Sequence, residues 1–118
     1  MKLALNGGLN FSVLDGWWPE GYDGTNGFAV RYSRNPNGEI RDAHDREALF
    51  KVLEEEVIPM YYQQDAEGIP REWVRRMKQA MCTLGWRFSS DRMMMDYANY
   101  CYKEAAGITT SQMNVPFV

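Results

Sequence analysis

Apolar residues fall into two short β-like runs near the start of the chain and three longer runs at three- and four-residue steps after them. Leu9 to Leu14 has the β-branched and aromatic content of a short buried strand. Asn6-Gly7-Gly8 before it and Asp15-Gly16 after it supply turns, because glycine reaches positive φ without steric cost. Gly27 to Tyr32 alternates Phe28, Val30 and Tyr32 against Ala29 and Arg31, which predicts a second strand. Between them, Trp17 to Asn26 is a glycine-punctuated loop, and Asn35-Pro36-Asn37-Gly38 makes a turn. The first strand must pair with the second, stay ragged, or pair with another copy of the chain through its exposed edge.

Helical spacing takes over downstream. Asp42 or Asp45 can cap a helix starting near Arg46, whose apolar stripe is Leu49, Val52, Leu53 and Val57. Glu54, Glu55 and Glu56 then form a solvated face, and Pro59 should bend or end this helix. Pro70 suits the first position of the next helix, with Trp73, Met77, Ala80, Met81 and Leu84 on one face and Gly85 as its stop. Ser89 or Ser90 caps a third helix that buries Met94, Tyr97, Ala98 and Cys101 and ends at Gly107. Residues 108–118 have no period and read as a mobile tail. The fold class is mainly α with a small β component: loops and strands over 1–38, helices over 42–107, and no domain boundary inside the chain.

Composition narrows the functional classes. With 118 residues, 45% hydrophobic and 25% charged, the chain is globular rather than disordered. A net charge of −3 with no basic block argues against nucleic acid. Leu3, Ala4 and Leu5 are stopped by Asn6-Gly7-Gly8, so nothing resembles a signal peptide, and no apolar run reaches membrane-spanning length. Cys82 and Cys101 lie in helical patterns without metal-ligand spacing and read as buried reduced thiols of a cytoplasmic protein. Met93-Met94-Met95 reads as core and edge filler. His44, the single histidine, lies in a polar stretch between Asp42 and Asp45, where an exposed loop residue is expected and a zinc site is not.

Two stretches carry a resemblance. Met1-Lys2-Leu3-Ala4-Leu5-Asn6-Gly7-Gly8-Leu9, followed by a strand and Leu14-Asp15-Gly16, resembles the cofactor-lysine segment of the α-glucan (glycogen, starch, maltodextrin) phosphorylases. Trp17-Trp18-Pro19-Glu20-Gly21-Tyr22-Asp23-Gly24 is similar to the bacterial and archaeal variant of that segment. Downstream, Pro70-Arg71-Glu72-Trp73, Arg76-Met77 and Phe88-Ser89-Ser90-Asp91-Arg92 with Tyr97-Ala98 resemble the C-terminal helices of the same enzymes, in the same order. The resemblance spans roughly residues 1 to 103 and implies the last portion of a doubly wound α/β glycosyltransferase domain. It implies reversible phosphorolysis of terminal α-1,4-glucosidic bonds to glucose 1-phosphate, with α-glucan and phosphate as partners.

It further implies pyridoxal phosphate bound through the lysine after the methionine, which is Lys2 here. The glycine-rich phosphate turn before that lysine is absent, as are the N-terminal domain and most of the C-terminal one. The chain therefore reads as a truncated or interrupted reading frame, or a cut piece. An exposed lysine amine is protonated near neutral pH, whereas only the neutral amine adds to an aldehyde. No tight cofactor binding and no activity are expected of the 118 residues alone. An alternative of another class is a non-catalytic module that binds an oligosaccharide or a protein through Trp17, Trp18 and Tyr22, whose rings can stack on the apolar face of a sugar or pack beneath their own loop.

Overall fold

A computed structural model describes residues 2–107. The chain divides into two compact units at Arg87/Phe88.

The first unit is built on two strands, β1 (Asn10–Val13) and β2 (Gly27–Val30), which pair in parallel. The register sets Phe11 beside Phe28 and Val13 beside Val30. Residues 14–26 connect them and contain a one-turn helix, α1 (Trp18–Gly21). A parallel pair needs a crossover of about a dozen residues, and this connection supplies it. Both strands are shorter than their hydrophobic runs, and Tyr32 is exposed beyond the end of β2.

α2 (Gly38–Val52) begins well before Arg46. Neither Asp42 nor Asp45 is its cap: the Asn37 side chain accepts from the backbone N–H groups of Glu39 and Ile40 at 3.0 and 3.3 Å. His44 is therefore a helical residue and not a loop residue. Pro59 does not break the run. The helix widens into a π turn over Leu53–Val57, in which the Ile58 N–H bonds the Leu53 carbonyl five residues back. α3 (Ile58–Tyr62) continues the run directly from the π turn, with Pro59 in its first turn.

α4 (Arg71–Arg87) is the longest element and follows Pro70, whose carbonyl accepts from Val74 N–H. Gly85 is not its stop. It lies buried inside the helix, where a Cβ would come 3.1 Å from Leu5 Cδ2, so the missing side chain lets the N-terminal segment approach closely. Ala80 and Leu84 are buried on the expected face, while Met81 is exposed. The core comprises Trp18, Phe28, Val30, Ala80 and Leu84 with Ala4.

Within the second unit, α5 (Ser90–Asp96) is capped by Ser89, whose hydroxyl accepts from Arg92 N–H at 3.2 Å. A π stretch (Tyr97–Tyr102) and α6 (Lys103–Ala105) continue it, and Gly107 closes the run at φ +69°. Met94, Tyr97 and Cys101 are exposed, contrary to the buried stripe expected of them. Among the described residues of this unit, the helical run has no second element against which to bury a face. Cys82 is exposed too, as are Met93 and Met95, so the buried-thiol and core-filler expectations are corrected at these positions. The expected tail, 108–118, lies outside the described residues. Among the described residues, no helix is long and apolar enough to cross a membrane.

Candidate functional site

The segment carrying Lys2 folds into a tight knot. The Leu3 carbonyl accepts from Asn6 N–H and Gly8 N–H, both at 3.0 Å, and Gly7 N–H bonds the Ala4 carbonyl at 3.1 Å. Gly7 takes φ +73°, a conformation that favours glycine, and a Cβ there would lie 3.0 Å from Met77 Cε. The Asn6 side-chain amide donates to the Lys2 carbonyl at 3.0 Å, which fixes the backbone of the lysine. Buried Ala4 and Gly7 seat this knot on α4. The structure thus holds the Lys2 main chain and leaves its side chain exposed.

Trp17, Trp18 and Tyr22 form a packed cluster. Trp18 is 1% exposed, and its indole N–H donates to the Phe28 carbonyl at 3.3 Å. Its ring lies 5.2 Å from those of both Trp17 and Tyr22. A ring at the bottom of the core cannot stack on a sugar, so the aromatic-loop binding module is not favoured.

Sequence reasoning missed the two polar side chains that hold this region. Asn26 is fully buried, donating to the Gly21 carbonyl at 2.7 Å and to Thr83 Oγ1 at 2.9 Å, and accepting from Asp23 N–H at 3.2 Å. Arg76 donates to the Gly27 carbonyl at 2.5 Å and lies 4.6 Å from the centre of the Phe28 ring, which Trp73 flanks at 5.9 Å. The available signal was Asn26-Gly27 itself: a Cβ at Gly27 would fall 2.6 Å from the Trp18 ring and 2.8 Å from the Asn10 carbonyl. Beside them, burial pushes the Asp23 carboxyl up, but hydrogen bonds from Thr25, Gln79 and Asn26 outweigh it and hold the group below its ordinary value.

His44 is exposed on α2 with Nδ1 3.4 Å from Asp45 Oδ1. The same carboxylate oxygen accepts from Ser33 N–H at 2.6 Å, so Asp45 ties the segment after β2 to α2. Among the described residues, no group of three or more His, Cys, Asp or Glu is placed to hold a metal ion.

Comparison with known proteins adds what geometry leaves open. The chain is 44% identical over 104 residues to the glycogen phosphorylase of Aquifex aeolicus, covering 88% of this chain and 15% of the relative. It is 41% identical over 107 residues to the glycogen phosphorylase of Mycobacterium tuberculosis, covering 90% of this chain and 12% of that one. It is a homologue of the α-glucan phosphorylases. The maltodextrin phosphorylase of Thermococcus litoralis gives 42% identity over 106 residues, 89% of this chain and 12% of the relative. The chain therefore spans about an eighth of the length of the phosphorylases it matches. No protein-family model matches it, and no solved structure does.

Homology to phosphorylases raises the question of a pyridoxal phosphate site. A lysine that carries an aldehyde cofactor is made reactive by enclosure, which favours its neutral amine. Lys2 is exposed, and it lines neither the groove between the strands and α2 nor the one on the second unit. The residues of this chain do not by themselves fit the cofactor.

Proposed function

We propose that this chain is the cofactor-lysine portion of an α-glucan phosphorylase and is inert by itself. The whole enzyme would carry out reversible phosphorolysis of terminal α-1,4-glucosidic bonds, with α-glucan and phosphate as its partners, in the cytoplasm. The observation that carries this reading is identity of 41–44% across about nine-tenths of the chain with glycogen and maltodextrin phosphorylases. In the complete enzyme, Lys2 would hold pyridoxal phosphate, whose phosphate group supplies acid–base and electrostatic assistance to the attacking phosphate. The part played by this chain is positional. The knot over Leu3–Gly8 fixes the Lys2 backbone, and its seat on α4 keeps that anchor in place when the missing walls close round it. The segment belongs to the last part of a doubly wound domain, which accounts for a parallel strand pair in a chain otherwise helical.

A graft tests this. The 104 matching residues of the Aquifex aeolicus enzyme are replaced by the aligned residues of this chain, and glucose 1-phosphate release from maltooligosaccharide is assayed. The graft is expected to be active and the isolated chain inactive. Lys2→Ala in the graft should lower turnover at least ~100-fold, as loss of an essential cofactor anchor requires. A folded graft without activity, or a Lys2→Ala graft as active as its parent, overturns the reading.

A further inference from the structure

The knot that carries Lys2 is tied to itself. The Leu3 carbonyl accepts from the N–H groups of Asn6 and Gly8, and the Asn6 side-chain amide donates to the Lys2 carbonyl, all at 3.0 Å. Residues 2–8 therefore form one body, and the position of Lys2 is set by what supports that body. α4 supports it at two places. Buried Gly7 lies over Met77, whose terminal methyl Cε is 3.0 Å from where a Gly7 Cβ would be, with Met81 Cε at 3.8 Å. Leu5 Cδ2 comes 3.1 Å from where a Gly85 Cβ would be, about two turns further along the helix. Two supports on one rod fix the orientation of the knot as well as its distance.

The residue before Met77 reaches a different element. Arg76 donates to the Gly27 carbonyl at 2.5 Å and its guanidinium lies 4.6 Å from the centre of the Phe28 ring, so the same helix holds the start of β2. Trp73, one turn earlier, adds to this sheet-side contact at 5.9 Å from the Phe28 ring. Neighbouring residues on an α-helix point about 100° apart, which lets an adjacent pair hold two elements at once. Arg76 takes the sheet and Met77 takes the knot. An unbranched thioether suits the second task, because it fills an irregular gap beneath a positive-φ glycine without demanding one shape. The pair thus sets the separation between the lysine and the parallel sheet.

We infer that Arg76 and Met77 are positioning residues for Lys2 in phosphorolysis, acting through the knot and β2 without touching a reactant. This depends on the function proposed above. Shortening Met77 leaves space beneath Gly7 into which the knot can sink. Removing the Arg76 guanidinium frees the Gly27 carbonyl, so β2 can slide against the helix. Either change alters the distance from Lys2 to the sheet. A displacement of about 1 Å remote from the chemistry can lower a rate ~100-fold, so a pair far from the lysine in sequence governs turnover. A substitution that refills the space under Gly7 should leave Lys2 where it stands.

The test uses the full 118-residue chain and its graft into the Aquifex aeolicus enzyme. In the graft, Met77→Ala and Arg76→Gln should each lower kcat at least ~10-fold, with KM for maltooligosaccharide within about twofold of the parent. Met77→Leu, close to methionine in volume, should restore kcat to within about threefold of the parent. In the isolated chain, Met77→Ala should speed exchange of the Asn6, Gly7 and Gly8 amides at least ~10-fold more than exchange at residues 27–30. A purely structural role would lower the melting point and speed both sets alike, with kcat per folded molecule at the parent value. That result overturns the inference, as does a Met77→Leu graft no better than Met77→Ala. Should Met77→Ala fail to fold, Met77→Val takes its place in both assays. An active parent graft with indifferent variants removes the positioning pair and leaves the functional reading standing. Exchange confined to the knot, with a folded but inactive parent graft, leaves the seat on α4 standing and removes the phosphorolysis reading.

Discussion

Replacing Asn26 by alanine should cost the first unit about 3 kcal/mol, and the sum can be worked from its three hydrogen bonds. Thr83 Oγ1 keeps its bond to the Gln79 carbonyl at 2.9 Å and loses only a donor from Asn26. Asp23 is exposed, so water replaces the partner of its N–H. The Gly21 carbonyl has no such recourse, because Gly21 is buried and Asn26 Nδ2 reaches it at 2.7 Å. Stranding one buried carbonyl costs about 1–3 kcal/mol, and the small void left by the amide adds about 1 more. Urea unfolding followed by tryptophan fluorescence reads this directly, since Trp18 lies in the same core. With a slope of about 1–3 kcal/mol per molar, the midpoint should fall by ~1–3 M. Asn26→Asp sharpens the test. A buried carboxylate facing the Gly21 carbonyl has its pKa raised, so stability is retained below the unfolded-state value of about 3.9 and lost as the pH rises through the folded-state value. Asn26→Asp should therefore be less stable than Asn26→Ala at pH 7 and partly recover in acid. A midpoint shift under ~0.3 M for alanine, or an aspartate variant indifferent to pH, would refute the account.

Other consequences follow from the same packing. Gly27→Ala forces a methyl against the Trp18 ring and the Asn10 carbonyl, and overpacking against backbone should cost ~1–3 kcal/mol or more in a thermal melt. Trp18→Phe keeps most of the ring but removes the bond to the Phe28 carbonyl and should cost about 1–2 kcal/mol, against about 3–5 for Trp18→Ala. Gly85→Ala meets only the flexible end of Leu5 and gains helix propensity, so its denaturation midpoint should stay within the equivalent of about 1 kcal/mol. In the loop between α3 and α4, Asp65 accepts from Ile69 N–H at 2.8 Å, pairs with Arg71 and accepts from Glu67 N–H, which together hold its carboxyl below the ordinary value. Its contribution is present above the unfolded-state pKa and is lost as the pH falls through the lower folded-state one. Ile69 amide exchange should accelerate only in that acid window, and an Ile69 amide insensitive to acid would count against it.

The elements themselves were legible because their signals are local. Both strands sit within the predicted runs, and Pro70 and Ser89 mark the helix starts that their chemistry announces. What stayed hidden depended on partners distant in sequence. Gly85 looks like a stop until Leu5 is known to pack against it, and Asn37 outcompetes Asp42 and Asp45 because the residue with extended backbone geometry becomes the cap. The buried stripe expected at Met94, Tyr97 and Cys101 failed because periodicity reports an apolar face and not what will cover it. At the site, Lys2 could be named from its flanking residues. Its exposure agrees with the unenclosed amine expected of it, since enclosure is a property of surroundings that the described residues do not supply.

The widened turn before Pro59 acts as a phase shifter. One extra residue in the coil sets every later side chain back by about 100° relative to an uninterrupted α-helix. That rotation aims Tyr61 at Trp73, edge to face at 5.1 Å, and Trp73 in turn lies against Phe28 of the sheet. Deleting a single residue among Glu54, Glu55 and Glu56 would leave the composition of the solvated face nearly intact while swinging Tyr61 off its neighbour. The acidic run thus sets the angular timing by which a distant aromatic meets the core.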